Sequence, residues 1–281
     1  MTMAHQAEPH VIVRIEEREA GARIAHVVVN NAKKLNTLNS PLMADFVAAF
    51  ETLSHDAALR CVVLTGAGDR AFIGGADIDE MATIDATTAK NFITQVHRCC
   101  NAPRELPVPV IARVQGFALG AGLEVAAACD LRIASDTAVF GMPEVKLGIP
   151  SVVEAALLPM LVGFGRAREI LLLGENFSAA DAAAWGLVER VVAPAALDAA
   201  VDGCIRSILA AGPHAVRLQK KLIRAWEDLP LRAAVSAGID AFAASFATDE
   251  PRREMNRFLA AREARRAAQS RDPDSAKKNP G

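Results

Sequence analysis

The stretch PVIARVQGFALGAGLEVAAACDLRIASDTAVFGMPEVKLG, residues 109–148, combines a short apolar run, a glycine-rich turn and two separated glutamates. The apolar, β-branched run at Val110–Val114 predicts a buried strand. The glycines within residues 116–122 then predict a loop, and residues 123–129 predict a helix. The stretch therefore predicts a strand, a loop and a helix in succession.

Two glutamates of this stretch are candidates for acid–base chemistry. Glu124 falls in the first turn of the predicted helix among small and apolar residues, and Glu144 falls in a second loop after Pro143. Removal from water raises the pKa of a glutamate toward neutral pH, which suits proton transfer. The unpaired N–H groups at a helix N-terminus suit an oxyanion, so residues 120–122 predict an anion-holding turn.

Composition predicts an ordinary globular enzyme. With 281 residues and 52% hydrophobic residues the chain can bury a sizeable core, and a net charge of −2 gives no general attraction to nucleic acid. We find neither a run of about 20 apolar residues nor a signal-like start, so we expect a cytoplasmic protein with no membrane partner. Five cysteines without a C-x-x-C pair predict reduced thiols and no metal site.

The first elements predict a ββα unit. Apolar runs at residues 11–15 and 24–29 predict two strands joined by a turn at residues 20–22. Ser40 as N-cap and Pro41 at the first helical position predict a helix that buries Leu42, Phe46, Phe50 and Leu53. Further strands are predicted at residues 61–64, 108–114, 131–134 and 188–192. One helix is predicted at residues 86–100, and a second runs from a capping box at Ser178 and Asp181 to about residue 185. Beyond residue 194 the chain is predicted to be helical, with breaks at Pro213 and Pro230.

Four segments in this order resemble the enoyl-CoA hydratase/isomerase superfamily, the crotonases, over residues 31 to about 262. The segments are NAKKLNTLN at 31–39, FIGGADIDEM at 72–81, the V-x-G-x-A-x-G-x-G-x-E helix start at 114–124, and FGMPEVKLGIP at 140–150, one residue shorter after Gly148 than in many hydratases. The spacing between Glu124 and Glu144 also matches hydratases that use both carboxylates.

The resemblance implies an α/β fold of the ClpP/crotonase type. A spiral of ββα units would occupy residues 1–195 and contain the active site, and a C-terminal helical oligomerisation region would occupy residues 196–266. Residues 267–281 form a polar tail that we expect to be disordered. The family resemblance further implies a homotrimer or hexamer, and no cofactor, since coenzyme A belongs to the substrate.

The resemblance also implies the chemistry. The backbone N–H groups of Ala76 and Ala121 would hold the thioester oxygen as an enolate develops, and removal of one such donor costs about 3 kcal/mol. Glu124 and Glu144 would hold water for addition to C3 of a 2-enoyl-CoA while a proton reaches C2, giving 3-hydroxyacyl-CoA. Contacts with coenzyme A are expected from Lys33, Lys34, Leu35, Gly74, Asp77 and Ile78.

Some residues carry two interpretations. Candidates for the acyl pocket are Met142, Ser151 and Glu154. Glu154 stands where typical hydratases have a glycine-rich segment, and is either a third carboxylate at that pocket or a carboxylate at a helix N-terminus. Lys33 and Lys34 either meet coenzyme A phosphates or belong to a solvated turn. His97 is interpreted as a packing or surface histidine rather than a base.

Other functions are weighed against hydration. An enoyl-CoA isomerase, moving a double bond from 3-enoyl to 2-enoyl, needs mainly one glutamate; another crotonase acyl-CoA reaction is also open. The absence of any tyrosine disfavours branches with a catalytic tyrosine. Dinucleotide binding fails because Val125 replaces the third glycine of G-x-G-x-x-G. RNA binding is the alternative from another class, and it would use the arginines at 252, 253, 257, 262, 265 and 266; no aromatic residues interleave with them to stack bases.

Overall fold

The computed structural model describes residues 9–271 and contains two compact units, which divide between Leu209 and Ala210. The strands of the first unit are β1 (Val11–Glu17), β2 (Arg23–Val29), β3 (Leu59–Gly66), β4 (Ala71–Ile73), β5 (Val110–Val114), β6 (Phe117–Leu119), β7 (Leu131–Ser135), β8 (Val139–Gly141), β9 (Asn176–Ser178) and β10 (Arg190–Val192). Its helices are α1 (Ser40–Ser54), α2 (Ile78–Met81), α3 (Ala89–Glu105), α4 (Ala121–Ala128), α5 (Leu158–Leu173), α6 (Ala179–Ala184) and α7 (Leu197–Ala210), which ends at the boundary.

Two sheets organise this unit. The larger has the strand order β1-β2-β3-β5-β7-β10 and is parallel except for the antiparallel β1–β2 pair. The smaller has the order β4-β6-β8-β9, in which only the β8–β9 pair is antiparallel. From β3 to β8, successive strands alternate between the two sheets, and helices follow the strand pairs. This is the predicted α/β spiral of ββα units.

The strand β3 shows why the larger sheet is buried on both faces. Side chains alternate across a strand, so Val62 and Leu64 enter the main core while Cys61 and Val63 enter a second apolar cluster. Helix α7 covers that second face with residues spaced four apart, Leu197, Val201 and Ile205. Helix α7 therefore belongs to the first unit, and the boundary expected at residues 195/196 lies at 209/210 instead.

Helix α1 starts one residue earlier than its sequence indicates. The N-cap is Asn39, whose side-chain oxygen accepts a hydrogen bond from the N–H of Leu42 at 3.0 Å. Ser40, the predicted N-cap, is the first helical residue, and its hydroxyl donates to Glu80 instead. The four predicted core residues of the helix, Leu42, Phe46, Phe50 and Leu53, are all buried.

Several other boundaries differ from the prediction. Helix α3 lies at Ala89–Glu105 rather than at 86–100, since it starts after a turn closed by Asp85 and extends through Pro103. The predicted loop at 116–122 contains the strand β6, which pairs with β4 and β8. The predicted loop around Glu144 contains β8 and a 3-10 helix at Pro143–Leu147.

The second unit is helical, with α8 (Pro213–Asp228), α9 (Leu231–Ser245) and α10 (Glu250–Arg271). Pro213 is the first residue of α8 and Pro230 immediately precedes α9, so both predicted breaks are confirmed. The carboxylate of Glu250 accepts hydrogen bonds from the N–H groups of His214 at 3.0 Å and Ala215 at 2.9 Å. Helix α10 continues past residue 266, where the sequence predicts a tail; residues 272–281 of that tail lie outside the described residues.

None of the helices described over residues 9–271 has the length and apolar character needed to span a membrane. The five cysteines are free thiols, and Cys204 alone among them is not fully buried. Burial raises the pKa of Cys61 and of Cys99 to about 12, so both remain neutral thiols at physiological pH.

Candidate active site

A glycine turn between β6 and α4 forms the base of the candidate site. Gly120 has φ 50° and ψ −123°, a positive φ that favours glycine, and α4 starts at the next residue. A Cβ atom on Gly120 would overlap the Oε1 atom of Glu144. The Oε2 atom of Glu144 accepts a hydrogen bond from the Ser151 hydroxyl at 2.8 Å. The Glu144 carboxylate is therefore held directly against the turn.

Glu124 lies one helical turn further along α4 and is buried, with 4% of its surface exposed. Its N–H donates to the carbonyl of Gly120 at 3.0 Å, and its Oε1 atom accepts from the N–H of Ala155 at 3.0 Å. Burial raises the pKa of Glu124 to about 8, the hydrogen bond from Ala155 opposes the shift, and the charges of Glu144 and Glu154 add to it. Glu124 therefore carries a proton at neutral pH.

The structure thus brings together the two predicted catalytic residues, in different electrostatic environments. Glu124 is enclosed by the core, whereas Glu144 lies on a short 3-10 helix and is partly exposed. A buried glutamate with a raised pKa and a second, partly exposed glutamate at one turn suit acid–base chemistry. The arrangement can give a proton at one point and take a proton at another.

The two expected oxyanion donors lie on adjoining turns. A Cβ on Gly122 would overlap the carbonyl of Ile73, and a Cβ on Gly75 would lie 3.2 Å from the carbonyl oxygen of Leu119. Only glycines allow the two loops to approach so closely. Within residues 9–271 the N–H groups of Ala76 and Ala121 donate to no other group of the chain. Both donors are therefore available to an incoming oxygen.

Ala121 is the first residue of α4, where a backbone N–H has no intrahelical acceptor. The positive φ of the turn falls on Gly120, so residue 121 needs no glycine. Alanine at this position is thus compatible with the donor role that the sequence predicts.

The segments at 31–39 and 72–81 are held side by side by backbone hydrogen bonds. The N–H of Gly74 donates to the carbonyl of Leu35 at 2.8 Å, and the N–H of Asp77 donates to that of Leu38 at 2.9 Å. Leu35 adopts a left-handed conformation with φ 55°. Two motifs far apart in sequence therefore form one edge of the site.

The charged residues of this edge pair with one another. The Lys34 ammonium lies 3.1 Å from Asp77 and 2.8 Å from Asp79, while Lys33 is exposed. The Asp77 carboxylate also accepts from the N–H of Glu80 and so caps α2. Ile78 is 60% exposed beside these residues. The six residues predicted to bind coenzyme A thus form one patch, and their roles stay predictions.

One structural residue of this edge was missed by the sequence analysis. Asn36 is fully buried, and its amide donates to the carbonyls of Ala67 at 3.0 Å and Ala71 at 2.9 Å. Its side-chain oxygen accepts from the N–H of Asn31 at 3.0 Å. The available signal was a polar residue between the leucines of LNTL. Asn36 fixes the loop before β4, which leads to Ala76.

The candidates for the acyl pocket have different surroundings. Met142 is fully buried, and Ser151 is bound to Glu144. Glu154 lies in the first turn of a 3-10 helix at Val153–Leu157, consistent with the helix N-terminus interpretation, but its side chain is turned inward. Its Oε1 atom lies 2.8 Å from Nδ1 of His97, a contact that the sequence analysis did not anticipate.

The arginines of α10 proposed for RNA binding are partly engaged on their own helix. Arg253 pairs with Asp249 at 3.3 Å and Arg257 with Glu254 at 3.1 Å. These pairs are exposed and spaced three or four residues apart, as on a solvated helix face.

Comparisons with known proteins agree with the acid–base site described above. The enoyl-CoA hydratase/isomerase family matches residues 19–267 of the chain. A short-chain-enoyl-CoA hydratase of Clostridium acetobutylicum is 35% identical over 86% of this chain and 93% of the relative. A crotonyl-CoA hydratase of Syntrophomonas wolfei is 36% identical over 92% of this chain and 98% of the relative.

Solved structures of enoyl-CoA hydratases have the same fold as this chain. An enoyl-CoA hydratase of Mycobacterium smegmatis has a TM-score of 0.85 at 31% identity, covering 90% of this chain and 97% of that one. An enoyl-CoA hydratase of Bacillus anthracis has a TM-score of 0.84 at 30% identity with the same coverage. The chain belongs to the enoyl-CoA hydratase/isomerase family. The comparisons confirm the predicted family, the crotonase fold and the enzyme class, which is a hydro-lyase acting on enoyl-CoA. They give no support to RNA binding.

Proposed function

We propose that the chain hydrates a 2-enoyl-CoA thioester to a 3-hydroxyacyl-CoA through an enolate held in an oxyanion hole. The observation that carries the proposal is the pairing of buried Glu124 with accessible Glu144 at a turn whose Ala121 N–H is free. Hydration needs a proton donor, a proton acceptor and an oxyanion site together. Each of the three requirements has a candidate group here.

In this proposal the thioester oxygen accepts hydrogen bonds from the N–H groups of Ala76 and Ala121. These bonds strengthen as the carbonyl gains enolate character, so they stabilise the transition state more than the bound substrate. The close approach of Gly122 to Ile73 supports a fixed distance between the two donors. Donors fixed in advance need no reorganisation during the reaction.

The two carboxyl groups divide the proton transfers. The water oxygen bonds to C3 while one water proton passes to the Glu144 carboxylate, and the Glu124 carboxyl gives its proton to C2. Protonation of Glu124 at neutral pH supports this division. The hydrogen bond from Ser151 supports a fixed orientation of Glu144. A proton returned from Glu144 to Glu124 restores the starting state, so all protons balance.

Coenzyme A is proposed to bind along the edge formed by Lys33, Lys34, Leu35, Gly74, Asp77 and Ile78. The exposed Ile78 supports an apolar contact there, and exposed Lys33 supplies positive charge for a phosphate, whereas Lys34 is paired with Asp77 and Asp79. No cofactor other than this part of the substrate is proposed. The names of the Clostridium and Syntrophomonas relatives, short-chain-enoyl-CoA and crotonyl-CoA hydratase, favour a short acyl chain.

We also propose a homotrimer or hexamer and a cytoplasmic location. Large apolar side chains on the second unit remain exposed, including Leu231 at 81% and Phe242 at 67%. Exposed apolar residues of this size on one helix support burial against another copy. The free, buried cysteines are compatible with a reducing compartment.

The test is an assay of a panel of short, long, branched and aromatic 2-enoyl-CoA thioesters, alongside a 3-enoyl-CoA. We expect loss of the conjugated enoyl absorbance with crotonyl-CoA and formation of 3-hydroxybutyryl-CoA. Conversion of 3-enoyl-CoA to 2-enoyl-CoA without any hydration would replace the proposal with an isomerase. An electrophoretic shift assay across salt concentrations tests RNA binding separately.

A further inference from the structure

A five-residue segment, residues 151–155, contacts both candidate catalytic carboxyl groups. The Ser151 hydroxyl donates a hydrogen bond to the Oε2 atom of Glu144 at 2.8 Å, and the N–H of Ala155 donates to the Oε1 atom of Glu124 at 3.0 Å. Each bond engages one oxygen of its carboxyl group. The segment therefore holds two groups that come from different elements, α4 and the 3-10 helix at Pro143–Leu147.

The other oxygen of each carboxyl group has no hydrogen-bond partner in the described part of the chain, residues 9–271. These oxygens are Oε1 of Glu144 and Oε2 of Glu124. A Cβ atom on Gly120 would lie 2.3 Å from Oε1 of Glu144, and the next residue, Ala121, supplies a proposed oxyanion donor. The unbonded oxygen of Glu144 therefore faces the turn that starts α4.

The segment is held in one shape by a tight turn. The N–H of Ala155 also donates to the carbonyl of Val152 at 2.9 Å, so the turn around Val153 sets the direction of this N–H. Val153 has φ 41°, a left-handed conformation that β-branched residues rarely adopt. Its side chain packs against the main core, and such strain persists only where the surrounding structure imposes it. The N–H that binds Glu124 is therefore oriented in advance.

We propose that residues 151–155 form a clamp that selects the reacting oxygen of each glutamate, with Ser151 as a positioning residue for Glu144. The inference rests on the proposed hydration. Oε2 of Glu144 is engaged by Ser151, so Oε1 accepts the water proton. In a protonated carboxyl group the carbonyl oxygen is the acceptor, so the N–H of Ala155 places the proton of Glu124 on Oε2, which gives it to C2.

Electrons and protons balance with this assignment. An electron pair of the water oxygen forms the bond to C3, and the C2–C3 π pair moves into the enolate, which the N–H groups of Ala76 and Ala121 hold. One O–H bond of the water breaks, and its proton goes to Oε1 of Glu144. The enolate pair forms a C–H bond at C2 with the proton from Oε2 of Glu124. A proton returned from Glu144 to Glu124 closes the cycle.

The assignment at Glu124 is tested by infrared spectroscopy of the unliganded, full-length wild type at neutral pH. The C=O stretching band of the protonated carboxyl group is assigned to Glu124 by its loss in Glu124→Gln. A hydrogen bond to the carbonyl oxygen lowers this frequency, so we expect a band in the range of hydrogen-bonded carboxyl groups. Ser151→Ala should leave the frequency unchanged, because Ser151 binds Glu144. A band at the frequency of a free carbonyl would contradict the assignment.

The clamp at Glu144 is tested with Ser151→Ala, which lacks the donor, and Ser151→Thr, which keeps a hydroxyl. Crystals of unliganded Ser151→Ala should show a displaced Glu144 carboxyl group. Its kcat for crotonyl-CoA should fall by about 10-fold or more with KM little changed, since a misplacement of about 1 Å can cost about 100-fold. Ser151→Thr should keep most of the kcat. Ser178→Ala is the matched control: its hydroxyl donates to Asp181 at 2.6 Å at the start of α6, and kcat should not change.

An unmoved Glu144 carboxyl group in Ser151→Ala would overturn the inference, as would a Ser151→Ala variant with the kcat of an active wild type. Equal losses of kcat in Ser151→Thr and Ser151→Ala would also exclude a role for the hydroxyl. The infrared band and the crystals are obtained without substrate, so they decide the inference even if the wild type hydrates no 2-enoyl-CoA. That last result would contradict the proposed function instead.

Discussion

The Oε1 atom of Glu144 lies in the space that a Cβ atom would occupy on Gly120. The position of a carboxylate proposed as catalytic therefore depends on the absence of a side chain at the turn that starts α4. This dependence makes Gly120 a sensitive probe of the site.

Gly120→Ala is expected to reduce kcat for hydration by about 100-fold, because the added methyl group displaces Glu144 and small misplacements of catalytic groups are that costly. Gly148→Ala is the matched control: Gly148 also has a positive φ, 79°, but no atom lies within 4 Å of the added Cβ. Alanine at Gly148, which is in the left-handed α region, costs about 1–2 kcal/mol of backbone strain, whereas Gly120 with ψ −123° lies outside that region, where alanine is more strained. Steady-state kinetics with crotonyl-CoA measure both losses; a loss in Gly120→Ala no greater than that in Gly148→Ala would mean that displacement of Glu144 does not impair hydration.

Glu144→Gln should abolish hydration, with a loss of about 100-fold or more, since the amide is nearly isosteric but cannot accept a proton from water. The same substitution at Glu175, an exposed residue paired with Lys146 at 2.7 Å, should leave kcat unchanged. Turnover of Glu144→Gln near the wild-type rate would remove Glu144 from the mechanism.

Glu124→Gln should impair hydration more than isomerisation of a 3-enoyl-CoA. Moving a double bond requires one proton shuttle and no positioned water, and Glu144 remains available for it. Assays of both reactions on the same preparation measure the separation. If both activities fell equally, the division of roles between the two carboxyl groups would be incorrect.

The raised pKa of Glu124 also predicts how stability depends on pH. The folded protein holds this proton up to a pKa of about 8, whereas the unfolded chain releases it near 4.5. Between these values the folded state binds more protons, so the free energy of unfolding should fall as pH rises. Urea unfolding of the wild type, compared with Glu124→Gln at constant protein concentration, should show this slope only in the wild type. Parallel pH profiles would contradict the raised pKa.

Ala121→Pro should destroy turnover, while Ala121→Gly should have a mild effect, because only proline removes the backbone N–H. Position 121 is the first residue of α4, where proline fits the helix. Circular dichroism and oligomeric size check that the variant is folded. An active, correctly assembled Ala121→Pro protein would require a different oxyanion donor.

The sequence was sufficient for the features that depend on local pattern. The glycine turn, the acidic residue after it and the capping box at Ser178 all follow from spacing along the chain. The strands β4, β6 and β8 have only three residues each, too few for a periodic pattern. Helix α7 was assigned to the wrong region because helical periodicity does not tell which surface the apolar stripe meets.

The contact between His97 and Glu154 at the site was not predicted, because it depends on tertiary structure rather than on a local sequence pattern. His97 and Glu154 are 57 residues apart, and no local rule pairs a helix histidine with a loop carboxylate at that distance. The raised pKa of Glu124 was anticipated in direction from its apolar neighbours, because burial is its largest cause. The contribution of Glu154 needed the tertiary fold.

The contact between Gly122 and the Ile73 carbonyl has a consequence for how this scaffold can diversify. It fixes the end of β4 against the start of α4, so the N–H groups of Ala76 and Ala121, the proposed oxyanion donors, stand on two elements that pack directly against each other. The segment at residues 151–155 hydrogen-bonds to Glu144 through Ser151, to Glu124 through the N–H of Ala155 and to His97 through Glu154. We therefore expect exchanges within residues 151–155 that keep the bonds of Ser151 and Ala155 to alter the range of acyl groups accepted while leaving the two proposed thioester donors in place.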